Sequence, residues 1–244
     1  MTNTFRDFTR ENAQVEALYK RNHKLQTYST SLQKRNKHLP SPKKQFSILQ
    51  VFQKLDEIID ESDPDTSNTQ FQHALQSAQS ARLNNEPRWL VFVCLVHDLG
   101  KFLYLNGEDQ EFVVGDTFPV GCRFNESIIY HGYFNDNIDS FDPKFNSELG
   151  IYSLNCGLDN VVMSYGHDEY LYQVLKKYLS SEALFIIRYH SFYSMHTEGQ
   201  YRYLMNDDDL VKLEWIKKFN KYDLYSKDMQ VVDYKNYGIS YAGI

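Results

Sequence analysis

The feature that most constrains this chain is a set of histidines and aspartates recurring inside otherwise apolar, helix-patterned segments: His73, the pair His97-Asp98, His167, His190 and Asp223. Four imidazoles and two carboxylates supply enough donors for two metal ions, provided one carboxylate is shared. The central pair follows the run Trp89-Leu90-Val91-Phe92-Val93-Cys94. An unpaired carboxylate among such neighbours is costly, so it calls for a strong partner, and a metal cation is the obvious one. The expectation is a dinuclear metalloenzyme.

Adjacent residues of an α-helix diverge by about 100°, so His97 and Asp98 cannot grip one small ion from the same direction. A carboxylate has two oxygens and can bridge metals roughly 3.5–4 Å apart, which makes Asp98 the natural bridge. Lys101 lies at i+3 from Asp98 and i+4 from His97, so its ammonium can reach a ligand or substrate oxygen at the metals. His23, His131 and His196 have polar or glycine neighbours and are not expected to be ligands. His38, in a basic stretch, is expected to be solvated.

Helical spacing runs from Asn12 to Thr27, with Val15, Leu18 and Tyr19 on one face. Between Ser29 and Lys44, polar and basic residues dominate and Pro40 and Pro42 interrupt, so a loop is expected. Phe46, Ile48, Leu49, Phe52, Leu55, Ile58 and Ile59 mark an amphipathic helix, stopped by an acidic turn containing Pro64. Asn68 is a candidate cap for the helix carrying His73, and a more buried helix from about Pro87 to Leu103 presents His97-Asp98. From Asn106 to Asn146 periodicity fails, glycines and prolines punctuate, and Glu111-Phe112-Val113-Val114 suggests a short strand or hairpin. Helices return over Asn160–Tyr178, over Ser181–Phe192 behind a Ser180 or Ser181 cap, and over Asp207–Asp223. The fold class is therefore all-α: a helical bundle with a long central loop and at most a short β-hairpin. The expected organisation is an amino-terminal arm over residues 1–44 and one catalytic domain over 45–244.

Charge is divided unevenly. Residues 1–44 carry ten Lys/Arg against three Asp/Glu, net +7, and the remainder is net −13. The basic arm is best read as a cover on an acidic body, and that acidity argues against a nucleic-acid partner. No apolar run of membrane-spanning length and no signal-peptide core stand out. Cys94, Cys122 and Cys156 are odd in number and form no CxxC pair, so a reducing cytoplasm and no disulfide framework are expected. A monomer with no membrane partner completes that expectation.

The ordered pattern His73, His97-Asp98, Asp223 resembles the signature of HD-domain metalloproteins, which are helical; His167 and His190 complete a two-metal variant. Longer stretches are far more specific. They are Asp60-Glu61-Ser62-Asp63-Pro64-Asp65, His97-Asp98-Leu99-Gly100-Lys101, Val113-Val114-Gly115-Asp116-Thr117-Phe118-Pro119-Val120-Gly121-Cys122, Gly166-His167-Asp168-Glu169-Tyr170-Leu171-Tyr172, His190-Ser191-Phe192-Tyr193 and Phe219-Asn220-Lys221-Tyr222-Asp223-Leu224-Tyr225. These look like the myo-inositol oxygenase family, from Phe5-Arg6-Asp7-Phe8 to about Tyr225.

The resemblance implies a mixed-valent Fe(II)/Fe(III) pair, with O2 as co-substrate and myo-inositol cleaved to D-glucuronate, a step of inositol catabolism. One iron would be held by His73, His97, Asp98 and Asp223, the second by Asp98, His167 and His190. Lys101 would assist substrate deprotonation. Arg6, Asp60, Glu61, Ser62, Gly115, Asp116, His190 and Ser191 would join Lys101 in contacting the substrate. The stretch Tyr19–Thr27 resembles the family's lid. Imidazole and carboxylate ligands also suit zinc or manganese, so iron comes from the resemblance alone. The alternatives are an HD-type metal-dependent phosphohydrolase, an oxygenase of a related polyol, and a catalytically silent metal-binding domain.

Overall fold

The computed structural model describes residues 12–38, 46–58, 60–62 and 69–225. Helices begin where polar side chains satisfy the first free amides. Helix α1 (Ala13–Leu25) starts at Asn12, which accepts from the Gln14 and Val15 amides. α3 (Ile48–Leu55) opens on a reciprocal Ser47–Gln50 capping box. α4 (Gln70–Leu83) is capped by Thr69 rather than Asn68. In α7 (Ser181–Tyr189) the cap is Ser180, as one of the two expected serines.

The bundle is built around α4, α5 (Arg88–Val96), α7 and α9 (Asp207–Tyr225), each packed on at least two of the others. Leu90, Val93, Leu213, Ile216 and Phe219 are buried at their meeting. Among the described residues there is no strand, only an isolated antiparallel bridge between Pro119 and Met163. The architecture is all-α, in keeping with an HD-like bundle. Glu111–Val114 is no hairpin: Gln110–Phe112 is a single 3-10 turn, and Val113 and Val114 close onto the Gln110 carbonyl.

Two further expectations fail. Within the expected loop from Ser29 to Lys44, residues 29–37 belong to helix α2 (Tyr28–Lys37), capped by Thr27. Its amino end is held from outside as well, since the Tyr28 amide donates to Asp139 Oδ2 at 2.6 Å. The helix carrying His97-Asp98 is not uniform either. α5 stops at Val96, and His97–Asn106 winds as a ten-residue 3-10 helix. Such a long 3-10 run is uncommon; it eclipses residues i and i+3, so Lys101 stands directly over Asp98.

The combined run Arg88–Asn106 is long and apolar enough to cross a membrane by length and composition. Its apolarity is accounted for by the core, where Leu90, Val93, Cys94, Val96, Leu99 and Leu103 are buried. The 3-10 segment lies between α3 and α6 (His167–Leu175). Gly100 permits that contact: a Cβ there would sit 2.1 Å from the His167 carbonyl oxygen. Residues 12–27 of the arm pack on the central irregular region, with Leu18 joining Leu103, Phe112, Val113, Val114 and Tyr165 in a second small core.

Candidate metal centre

Five separate segments deliver the donors. His73 comes from α4, His97 and Asp98 from the α5-to-3-10 junction, His167 from the first residue of α6, His190 from the end of α7 and Asp223 from α9. Apart from His73, which is slightly more open, all are buried. His73, His97 and Asp98 have donor atoms within 4.8 Å of one another, and so do Asp98, His167 and His190. Asp223 Oδ1 lies 2.9 Å from His73 Nε2 and 3.3 Å from His97 Nε2, completing the first group.

Asp98 turns one oxygen to each group. Its Oδ2 is 3.5 Å from His97 Nε2 and 3.9 Å from His73 Nε2. Its Oδ1 is 3.3 Å from His167 Nε2 and 3.7 Å from His190 Nε2. Separations of this size suit a cation with bonds of about 2.0–2.2 Å to each donor.

The imidazoles are oriented by the backbone. His97 Nδ1 pairs with the Cys94 carbonyl at 3.0 Å, His167 Nδ1 with that of Val113 at 2.7 Å, and His190 Nδ1 with that of Ile187 at 3.0 Å. A carbonyl can only accept, so each Nδ1 carries its proton and each Nε2 faces the centre. His73 Nδ1 is buried and finds no acceptor among the described residues.

The electrostatics favour positive charge at this point. Burial would push the Asp98 and Asp223 carboxyls up, but Lys101 and the imidazoles around Asp98, and His73 and His97 beside Asp223, hold both well below the usual carboxylate range. Burial likewise opposes protonation of His167, yet Asp168 and Asp98 raise it to about 10. A pocket that stabilises an imidazolium against desolvation in this way is suited to a metal cation, and the donor set fits two.

Lys101 stands beside Asp98. Its Nζ lies 2.8 Å from Asp60 Oδ2, 2.9 Å from Asp98 Oδ2 and 3.0 Å from Gln70 Oε1. Burial would lower the ammonium's pKa, but Asp60 and Asp98 hold it well above the usual lysine value. Asp60 in turn accepts from the Ser62 amide and hydroxyl through Oδ1, at 2.9 and 2.6 Å. Asp60, Ser62 and Lys101 thus form one polar unit beside the bridge.

Glu61 forms an ion pair with Arg21 of α1 at 2.8 Å. Asp116 accepts from the Tyr19 hydroxyl at 2.9 Å, and Gly115, at φ +96, faces the same tyrosine ring. Ser191 Oγ donates to Asp168 Oδ1 at 3.3 Å. Arg6 lies outside the described residues.

Sequence reasoning missed Asp168 and Gln70. Gln70 had no motif to mark it; Asp168 adjoins His167, the same signal that singled out Asp98. The other histidines are outside the donor groups as expected, but not for the expected reason. His23 is fully buried, stacked on Phe134 and paired with the Ile129 carbonyl, and burial pushes its pKa down to about 4. His196 is buried against the His190 carbonyl. His38 is not solvated: its Nε2 lies 2.5 Å from Glu108 Oε2.

A helical frame that carries four imidazoles and a shared aspartate to one buried point defines a class, the helical histidine–aspartate metalloenzymes. Within that class, a profile of the family described as myo-inositol oxygenase matches residues 12–243. The chain is 46% identical over 250 residues to inositol oxygenase 1 of Arabidopsis thaliana, covering 97% of this chain and 80% of that protein. Inositol oxygenase 5 of the same plant is 48% identical over 235 residues, covering 91% and 74%. Inositol oxygenase of Rattus norvegicus is 44% identical over 235 residues, covering 94% and 82%. The chain belongs to the myo-inositol oxygenase family: it is a metal-dependent oxidoreductase acting on inositol.

Proposed function

We propose that the chain uses two iron ions and O2 to open the ring of myo-inositol, giving D-glucuronate and water. The stoichiometry balances: one oxygen atom of O2 enters the uronate, the other leaves as water, and the polyol supplies four electrons. The observation that carries this reading is Asp98, with one oxygen toward His73 and His97 and the other toward His167 and His190. His73, His97, Asp98 and Asp223 would hold one iron; Asp98, His167 and His190 the other. When bound, the pair in its mixed Fe(II)/Fe(III) state supplies the redox chemistry with O2 that no side-chain acid or base can perform on an unactivated C–H bond.

The protein's own groups bind, orient and exclude water. Lys101 donates to the reacting hydroxyl and, as a cation beside a developing alkoxide, eases loss of its proton. Asp60 and Gln70 hold that ammonium in place. Arg6, Asp60, Glu61, Ser62, Gly115, Asp116, His190 and Ser191 are the remaining substrate contacts of this reading, suited to a neutral polyol that needs hydrogen bonds rather than a phosphate clamp. The arm acts as a cover: Tyr19 bonds to Asp116, while Gln26 bonds through its side chain to both the amide and the carbonyl of Tyr165. Water exclusion protects reactive oxygen species from stray protons and reductants. The free thiols Cys94, Cys122 and Cys156 support a reducing, cytoplasmic setting.

The test is anaerobic loading with Fe(II), then O2 and myo-inositol, following oxygen uptake and uronate together. One O2 consumed per uronate formed is the expected result. Phosphate release from a nucleotide panel with no oxygen uptake would overturn it in favour of a hydrolase.

A further inference from the structure

A primary ammonium has three N–H bonds to donate and no more. Those of Lys101 are all taken by the protein: Asp60 Oδ2 lies at 2.8 Å, Asp98 Oδ2 at 2.9 Å and Gln70 Oε1 at 3.0 Å. The reading above asks the same ammonium to donate to a substrate hydroxyl. One of its present acceptors must therefore be given up first.

The acceptors are not equally held. Asp60 and Asp98 are charged and buried, and charge-assisted hydrogen bonds are roughly twice as strong as neutral ones. Asp60 is anchored by the Ser62 amide and hydroxyl, and Asp98 lies among the imidazoles of the centre. Each carboxylate oxygen has two lone pairs, so a cation at the centre does not oblige Asp98 to release Lys101. Gln70 differs on every count. It is a neutral carboxamide, only half-buried, on the first residue of α4, and its contact is the longest of the three.

We propose that Gln70 is a placeholder for substrate: its Oε1 occupies the place of the hydroxyl oxygen that Lys101 will hold, and myo-inositol enters by displacing it. The inference rests on the reading of Lys101 above and adds a positioning residue to it. In the substrate-free enzyme Gln70 spares a buried N–H the cost of having no acceptor. The exchange trades one neutral acceptor for another, so the ammonium keeps three bonds and both charged partners throughout. Substrate affinity then depends on how firmly residue 70 holds on. A side chain that accepts poorly lets the hydroxyl in more easily, and one that accepts strongly keeps it out.

The test is anaerobic calorimetric titration of myo-inositol into full-length wild type, Q70M and Q70E at matched iron loading, with steady-state kinetics alongside. Q70M, similar in length but with only a weak acceptor, should bind myo-inositol roughly two- to tenfold more tightly, the equivalent of one neutral hydrogen bond. Q70E, whose carboxylate grips the ammonium, should bind it roughly ten- to hundredfold more weakly. KM should follow in each, with kcat within about twofold of wild type, because residue 70 has left the ammonium before the chemistry begins. A residue that merely props Lys101 gives the reverse order, with Q70M weakened and Q70E at least as tight as wild type. Q70M no tighter than wild type, or Q70E no weaker, would overturn the inference, and either variant carries the test if the other does not fold. Myo-inositol that fails to bind iron-loaded wild type, or binds K101M with wild-type affinity, would instead overturn the role of Lys101 on which it rests.

Discussion

Lys101 shows how a single residue is tuned at this centre. It is buried, and its ammonium is neutralised by Asp60 and Asp98 together. Replacing one partner of a buried pair leaves the other charge stranded, at a cost of about 3–5 kcal/mol. K101M should therefore lower the stability of the metal-free protein by an amount in that range, and D60N should restore part of it in the double variant. Chemical unfolding of the four proteins in the cycle measures the coupling; additive losses would show that the contact is not felt. In the iron-loaded enzyme, K101M should keep both ions, while a lost charge-assisted hydrogen bond of about 1.5–3 kcal/mol weakens inositol roughly ten- to hundredfold. Metal analysis beside the KM for inositol separates that outcome from loss of the centre. The i+3 relation of Lys101 to Asp98 was legible in the spacing alone. Asp60 as its second partner was not, because the forty intervening residues hide the contact.

At the scale of elements, what could be read depended on how each helix is held. α4, α5, α7 and α9 are held by apolar stripes, and their periodicity announces them. α2 buries only Ser31. It is fixed instead by ion pairs from its polar side chains: Lys34, Lys37 and His38 surround Glu108, and Arg35 Nε lies 3.1 Å from Glu169 Oε1. A helix without a hydrophobic face leaves no mark in an apolar pattern, so a loop was the natural reading of residues 29–37. The same physics makes α2 sensitive to pH. Burial would raise the Glu108 carboxyl, but Lys34, His38 and Lys37 bring it down to about 2. A depressed folded-state value contributes stability above the unfolded value of about 4.3 and loses it as pH falls toward the folded one. Hydrogen exchange over 28–37 should accelerate between about pH 4.3 and 2 in wild type and be fast throughout in E108Q. Equal protection in the two proteins would separate α2 docking from Glu108. The 3-10 winding of His97–Asn106 was equally hidden, since a 3.6-residue and a 3.0-residue spiral share the same short apolar pattern. Its contact with α6 depends on Gly100, so G100A should displace His167 and lose the second metal while keeping the first. Metal counting on the purified variant checks this; two ions retained would show that α6 moves with its histidine in register.

For the whole molecule, the centre is also a clasp. Its donors come from α4, the 3-10 run, α6, α7 and α9, so metal held there would cross-link segments up to 150 positions apart, the separation of His73 from Asp223. Those contacts were visible in the sequence as residue types but not as geometry: the candidate donors could be named, whereas the backbone carbonyls of Cys94, Val113 and Ile187 that aim the imidazoles carry no side-chain signature. The Val113 carbonyl links the clasp to the arm, because Val113 shares its small core with Leu18 of α1. Deleting residues 1–38 would uncover Leu103, Phe112 and Val113 and remove the Gln26 bonds to Tyr165, two residues before His167. The half of the centre that takes His73 from α4 and Asp223 from α9 meets the arm less directly, through Leu103 toward the far end of the 3-10 run. Metal that binds only the folded state stabilises it by about 4 kcal/mol at a thousandfold excess over Kd, and each kcal/mol moves Tm by roughly 2–4 °C at this chain length. With two positions loaded, chelation should therefore lower the Tm of the full chain by roughly twenty degrees. In the arm-deleted protein the fall should be about half as large, because only the first position remains well formed, and turnover should be lost. Paired melting curves with and without chelator on both proteins, alongside oxygen uptake, distinguish the cases. An arm-deleted protein with the full chelator-induced drop and normal turnover would show that the second position stands independently of the cover.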